Sequence, residues 1–324
     1  MQKSSCAPIA LFIYNRPDHT LQTLKALSEN SLAKKSDLFI FADGPKNNAS
    51  DVVLKKIQLT RAAAKSKKWC KSVTVIESEK NKGLAQSIIS GVTQIVNQYG
   101  KVIVLEDDLV TSPYFLQYMN DALDVYENEP KAACINAYVE PHSTVLPDTF
   151  FLRGADCWGW ATWKRAWDVF NPDGKALLKE IKVRHCQRHF NFDNTCDYVR
   201  MLKDQIAGYN NSWAVRWLAS AYLNDMYCLY PDKTLVTNVG FDGSGTHCEA
   251  VEFNQGQLSY EPVKVIYQEP KESPEGFNAF KQCFYQRKRG SKSLAAYILH
   301  CLIDNLKKPV RPAYYAIKKW RKNR

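Results

Sequence analysis

The sequence predicts an α/β fold, a mainly parallel sheet with flanking helices. Three observations carry this. Short apolar runs alternate with helix-period segments through the first 140 residues. Turn and cap residues separate them. The apolar run at 102–105 then passes directly into Glu106, Asp107 and Asp108. That is expected where a buried strand delivers acids to the carboxyl edge of an open sheet.

The elements follow in order. Residues 9–14 read as the first strand, and Asp18 can cap a helix carrying Leu21, Leu24 and Leu27 on one face. The second strand, 38–42, ends at Asp43, Gly44 and Pro45, and a polar helix rich in Lys and Ala follows. The third strand is 73–76. Leu84, Ile88, Val92, Ile95 and Tyr99 recur near helical spacing, and Gly100 suits the end of that helix. After the fourth strand at 102–105, Pro113 opens a helix to about Tyr126, and 132–137 form a fifth strand. Further on, Trp158, Trp160, Trp163 and Trp167 crowd into an aromatic segment. Helices are expected near 173–182, 193–207 and 213–225, strands at 228–230 and 234–239, and a polar loop at 240–247.

Composition excludes several classes. At 45% hydrophobic and 24% charged, the 324-residue chain is globular rather than disordered. No apolar run approaches the roughly 20 residues that span a bilayer. The first apolar run is broken by Asn15, Arg16 and Pro17. It lacks the core and cleavage site of a signal peptide, so a cytoplasmic location is expected. Ten cysteines occur without a C-x-x-C, and reduced thiols are the default. His185, Cys186, His189 and Cys196 could suggest zinc, but Arg184 and Arg188 beside them and an incomplete ligand set weigh against it.

The net charge is +11, and +8 of it falls in residues 291–324. The near-neutral body argues against a nucleic-acid partner. In the last segment, 294–306 can form an amphipathic helix. The basic stretch after it is interleaved with Tyr314, Tyr315 and Trp320, a pattern that suits an anionic membrane surface. Peripheral association with the inner face of the membrane is the expectation; a helix packed on the body with a solvated basic end is the alternative.

Several strand ends carry chemistry-bearing residues. Three adjacent carboxylates repel one another and call for water or a divalent cation whose other positions are filled by phosphate oxygens. A solvated acidic turn is the plainer alternative. Arg16, beside a helix start, can hold a phosphate or simply sit at a turn. Asp43 can accept from a nucleobase or ribose, or close an Asp-Gly-Pro turn. Lys82 and Gly83 can face a diphosphate or merely begin a helix. Trp158, Gly159 and Trp160 suit either a sugar-stacking loop or the core, whereas Trp163 and Trp167 read as core. His247, in the late glycine-containing loop, can complete a metal's coordination or touch phosphate.

Taken in order, IYNRPD (13–18), FADGP (41–45), NKGLA (81–85), VIVLEDDLVTSPYF (102–115), FLRGADCWGW (151–160), SWAVRW (212–217) and YPDKTLVTNVGFDGSGTH (230–247) resemble the nucleotide-sugar glycosyltransferases of the GT-A, Rossmann-like fold. The pattern is that of the N-acetylglucosaminyltransferase I type and its bacterial sugar-transferase relatives. The resemblance covers about residues 8–250. It implies inverting, metal-dependent transfer of a hexosyl or N-acetylhexosaminyl group from a nucleoside diphosphate sugar, UDP-linked, to a glycan or lipid-linked glycan, with Mn2+ or Mg2+, in polysaccharide assembly. Carried over residue by residue, Asp108 is the metal ligand and His247 lies in the closing loop. Asp107 meets the ribose, Glu106 the nucleotide or sugar, Arg16 the phosphate and Asp43 the base. Residues 1–290 become the catalytic unit, with a nucleotide-binding half (1–140) and an acceptor half (141–290), and 291–324 an amphipathic basic tail.

One departure matters. The family pattern has an acid immediately before the tryptophan matched by Trp213, and this chain has Ser212 there. Asp242, Asp156 and Asp204 remain as candidate bases for the acceptor hydroxyl. The alternatives to this reading are a sugar-phosphate nucleotidyltransferase, which expects a glycine-rich loop where Asn15, Arg16 and Pro17 stand, and a nonenzymatic basic protein that binds a membrane surface.

Overall fold

The computed structural model describes residues 5–242 and 255–290. His247 and the 291–324 segment lie outside the described residues. The first strand, β1 (Ile9–Ile13), is buried along its whole length. It runs within three residues into α1 (Pro17–Ser28), whose first helical position is taken by proline, where the missing N–H costs nothing. The N-cap is Arg16, without a side-chain cap, and Asp18 lies inside the first turn. Asp18 is therefore not the cap that the sequence suggests.

Next come β2 (Asp37–Ala42), α2 (Asp51–Lys65), β3 (Ser72–Glu77), α3 (Leu84–Tyr99) and β4 (Lys101–Glu106). The acids follow β4 and lead into a short strand, β5 (Leu109–Thr111), then α4 (Phe115–Val125) and β6 (Ala132–Asn136). The aromatic segment supplies β7 (Thr149–Arg153), β8 (Trp160–Trp163) and α5 (Lys164–Trp167). A helical layer follows, α6 (Gly174–Val183), α7 (Gln187–Phe190), α8 (Tyr198–Ile206) and α9 (Trp213–Leu223). The chain then forms β9 (Tyr227–Pro231), β10 (Val236–Asn238) and α10 (Pro274–Gly290).

Eight strands form one sheet in the order β3-β2-β1-β4-β8-β6-β9-β7. The pairs β1–β2, β1–β4, β2–β3 and β6–β9 are parallel, whereas β8 and β7 run against their neighbours. The sheet is thus mostly parallel but mixed. Right-handed crossovers place α1 and α2 on one face and α3, which returns from β3 to β4, on the other. Packing agrees: α1 lies on α2, and α3 lies on α5 and α9. Strands β1, β2, β4 and β6 all end at one edge, and the segment before the reversed β8 begins there. Both halves of the chain therefore contribute to a single edge.

Three expectations change. Residues 150–170 are not only an aromatic cluster; they contain β7 and β8. The helix expected at 193–207 begins at Tyr198, because Phe192, Asp193 and Asn194 all adopt left-handed backbone. The strand expected at 234–239 is shorter and lies outside the main sheet, pairing antiparallel with β5.

The tryptophans divide by strand alternation. Trp163 turns to one face and donates its indole N–H to the Leu123 carbonyl on α4. Trp160 turns to the other and stacks on Trp213 at 5.5 Å, beside Trp167 and Trp217. It is 1% exposed. Its role as a sugar platform is corrected: no indole face is open to a ligand. Removing so large a buried ring leaves a cavity, so Trp160→Ala should cost about 3–5 kcal/mol of stability, measured by urea unfolding. A change under about 1 kcal/mol would contradict this core role.

Candidate active site

The register of the central strands assembles the site. Phe12 of β1 lies opposite Glu106 of β4, so the turn after each strand emerges at the same place. Arg16 Nη2 donates to Asp107 and, at 2.9 Å, to Asp108 Oδ2. Thr23 on α1 donates to the Asp107 main-chain carbonyl at 2.9 Å, which pins the acidic turn from below. The other guanidinium nitrogen, Nη1, is buried without a hydrogen-bond partner among the described residues.

Burial and like charge set the electrostatics. Glu106 is pushed well above the carboxylate range, first by burial and then by Asp108 and Asp107, and Arg16 offsets only part of this. Asp107 is raised by burial, with Arg16 opposing. Burial works against the charge on Arg16, but Asp107 and Asp108 outweigh it and raise its pKa. Burial is the first cause of both carboxyl shifts, and Arg16 offsets only part of it.

The segment after β10 forms a roof. The Val239 N–H donates to the Asp108 carbonyl at 2.8 Å. His19 on α1 holds the same segment, with Nε2 lying 3.2 Å from the Val239 carbonyl and 3.2 Å from the Asp242 carboxylate. Gly240 passes so close that a Cβ there would lie 2.4 Å from Asp108 Oδ2 and 2.9 Å from Arg16 Nη1. Only glycine allows this approach. Phe241 then meets the Trp158 ring edge-on at 5.7 Å, which joins the roof to the opposite wall.

That wall holds a second acidic group. Trp158 packs on Tyr138 at 4.6 Å. Asp156 accepts from the Cys157 N–H at 2.7 Å and the Tyr230 hydroxyl at 3.1 Å. Burial raises its carboxyl to about 6, partly offset by the Cys157 N–H. Behind it, buried Glu140 accepts from the Tyr138 hydroxyl and forms an ion pair with Arg287 of α10.

Other expected site residues stand elsewhere or do different work. The Asp43 carboxylate accepts from the Gly44 and Lys82 N–H groups at 2.8 Å, the Asn81 side chain at 2.9 Å and the Gly83 N–H at 3.0 Å. Its acceptor positions are filled by the chain, so it braces a turn and offers no free edge to a base. The same bonds consume the Lys82 and Gly83 amides that were expected to face a diphosphate. Gly159 has φ of +61°, and a Cβ there would lie 2.8 Å from Val236 Cγ1; it seats β8 against β10. Asp204 lies on α8 facing Arg200 at 3.9 Å, in a helix packed on α6 and α9. His189 engages Tyr222 and Glu272 through its two ring nitrogens.

Sequence reading missed His19 and Glu140. Glu140 carried a usable signal, being an acid shortly after a strand that ends at the site edge. His19 carried none, because its partners are distant in sequence.

The donor set suits a hard cation. Two carboxylates already converge on one positive group, and oxygen ligands match Mg2+ or Mn2+. Among the described residues, no three His, Cys, Asp or Glu are grouped to hold a metal. A cation here would take Asp108 and Asp107 and draw its remaining ligands from phosphate and water.

No family model matches the chain, and no curated protein matches it. Among solved structures, it is similar to S. aureus TarS, with 12% identity, a TM-score of 0.39 and 72% of this chain covered. The match spans 37% of the length of TarS. It is also similar to the mannosyltransferase PcManGT from Pyrobaculum calidifontis, solved with GDP-Man and Mn2+, with 12% identity and a TM-score of 0.37, covering 98% of this chain and 86% of that one. At this distance, neither similarity assigns a role to any residue.

The environment of Asp156 gives a pH test. Its carboxyl ionises near 3.8 when unfolded and near 6 when folded. Between these values the unfolded chain holds fewer protons, so stability falls as pH rises from about 4 through 6. Asp156→Asn should remove a fall on the order of 3 kcal/mol, seen as wild-type and variant melting profiles that diverge across that window. Parallel profiles would show that Asp156 is not held in a desolvated site.

Proposed function

We propose that the protein is a metal-dependent glycosyltransferase that moves a sugar from a nucleoside diphosphate sugar to a glycan or lipid-linked glycan, with inversion. The observation that carries this is the meeting of Arg16, Asp107 and Asp108 at the carboxyl ends of β1 and β4, under the segment after β10. Anionic and cationic groups share one edge, which suits a cation-bound diphosphate. A bound cation would neutralise charge on the diphosphate leaving group. Arg16 offers for phosphate oxygen an Nη1 that has no partner among the described residues, and Gly240 lets the loop main chain approach closely.

Trp158 and Tyr138 form the wall for the acceptor. In our reading Asp156 is the base. An acceptor hydroxyl oxygen bonds to the anomeric carbon as the bond from that carbon to the diphosphate oxygen breaks. The hydroxyl proton passes to Asp156, and the bonding pair leaves on the diphosphate. A carboxyl near 6 is ionised at neutral pH yet more basic than an exposed aspartate. Asp242 is less suited, as it is about half exposed and paired with His19. Asp204 belongs to the helical layer.

The UDP donor, the choice between hexosyl and N-acetylhexosaminyl transfer, the closing role of His247 and membrane docking by 291–324 rest on the sequence resemblance and the tail's composition. The nucleotidyltransferase alternative is weakened by the direct passage from β1 to α1, with Arg16 rather than a glycine-rich loop between them. The test is calorimetric titration with UDP- and GDP-sugars in Mn2+. One donor should bind, and Asp108→Asn should lower its cation-dependent affinity by about a hundredfold or more, since a direct cation contact is worth several kcal/mol. Equal binding by wild type and variant would overturn the proposal.

A further inference from the structure

Arg16 has two tasks that it cannot perform at once. One nitrogen, Nη2, serves both Asp107 and Asp108, while Nη1 is buried with no acceptor among the described residues. The carboxylates are thus committed to the arginine, but the arginine is only half used. Its main chain is fixed, because Thr20 N–H donates to the Arg16 carbonyl at 3.0 Å as α1 begins. The groups are shielded, with side-chain exposures of 16% for Arg16, 6% for Asp107 and 14% for Asp108, so water screens the ion pairs weakly.

A divalent cation on Asp108 would share Asp108 Oδ2 with this guanidinium. Two positive groups on one carboxylate oxygen repel, so the arginine must yield. It can yield cheaply only where another anion receives it. A diphosphate is such an anion, and the unfilled Nη1 already has capacity for it. The Gly240 main chain packs directly against Nη1, where any side chain would collide.

We propose that Arg16 is a resident counter-cation. It occupies the acidic turn in the donor-free protein and moves its hydrogen bonds to the diphosphate when a metal takes Asp108. Cation binding is thereby conditional on a diphosphate ligand, and binding of each strengthens the other by the same factor. This rests on the reading of the edge as a site for a metal and a nucleoside diphosphate.

The test titrates the full chain with Mn2+ alone, following free Mn2+ by electron paramagnetic resonance, and repeats it with saturating UDP or GDP. In wild type, the nucleotide that binds should raise Mn2+ affinity about tenfold or more, within the usual range of coupling. Arg16→Met removes the charge and keeps the bulk. It should bind Mn2+ alone about tenfold more tightly than wild type, with the nucleotide effect largely gone. Arg16→Lys keeps the charge and should stay weak for Mn2+ alone. Near-UV circular dichroism reports whether each variant keeps its packing. Should a folded Arg16→Met bind Mn2+ alone no better than wild type, the inference is overturned. Coupling of Mn2+ and nucleotide that persists undiminished in a folded Arg16→Met overturns the inference but leaves the proposed function standing, whereas uncoupled binding in wild type overturns both, because the proposed cation takes ligands from the diphosphate. Failure of every protein to bind Mn2+ with either nucleotide overturns both.

Discussion

The ion pairs between Arg16 and the two aspartates after β4 are the constraint on which the site depends. Three consecutive acids at a buried strand end would repel one another and unravel the turn. The guanidinium offsets part of that repulsion, and Thr23 fixes the turn's main chain. This is possible only because β1 and β4 are neighbours in register, so that residues 91 positions apart meet. Burial nonetheless raises the Glu106 and Asp107 carboxyls, and Arg16 offsets only part of that rise.

The rest of the edge is built around that centre. The short β5–β10 ribbon brings the segment after β10 over the acids, and His19 ties it to α1. Reversed strand β8 brings Asp156 and Trp158 to the same edge from the opposite direction. The tryptophan cluster behind β8 makes this wall rigid, because Trp160 is clamped among three other indoles. Arg287 on α10 reaches Glu140 behind the wall, so the end of the described chain is tied to the acceptor side as well.

Asp43 shows how a strand-end acid can have a purely structural role. It sits at the same edge as Arg16 and Asp108 and has the same chemistry. Its carboxylate is spent on the amides of the turn before α3. An anion at a helix N-terminus is favourable, and here the anion is the protein's own. Position at a ligand-binding edge is therefore insufficient; what distinguishes Arg16 is a donor left over.

The sequence by itself determined strands β1 to β4 and β6, but not the short β5, together with the acidic turn and the burial of Trp163 and Trp167, because these depend on local periodicity and on hydrophobicity. It placed Arg16, Asp107 and Asp108 at strand ends, which was enough to bring them to one edge. Tertiary structure alone decided that Asp43, Lys82 and Gly83 would bond to one another, that Trp160 would be enclosed, and that His19 and Glu140 would join the site. Those outcomes turn on which groups far apart in the chain become neighbours. Strand order, the reversal of β8 and the pairing of β5 with β10 set that, and no local pattern encodes them.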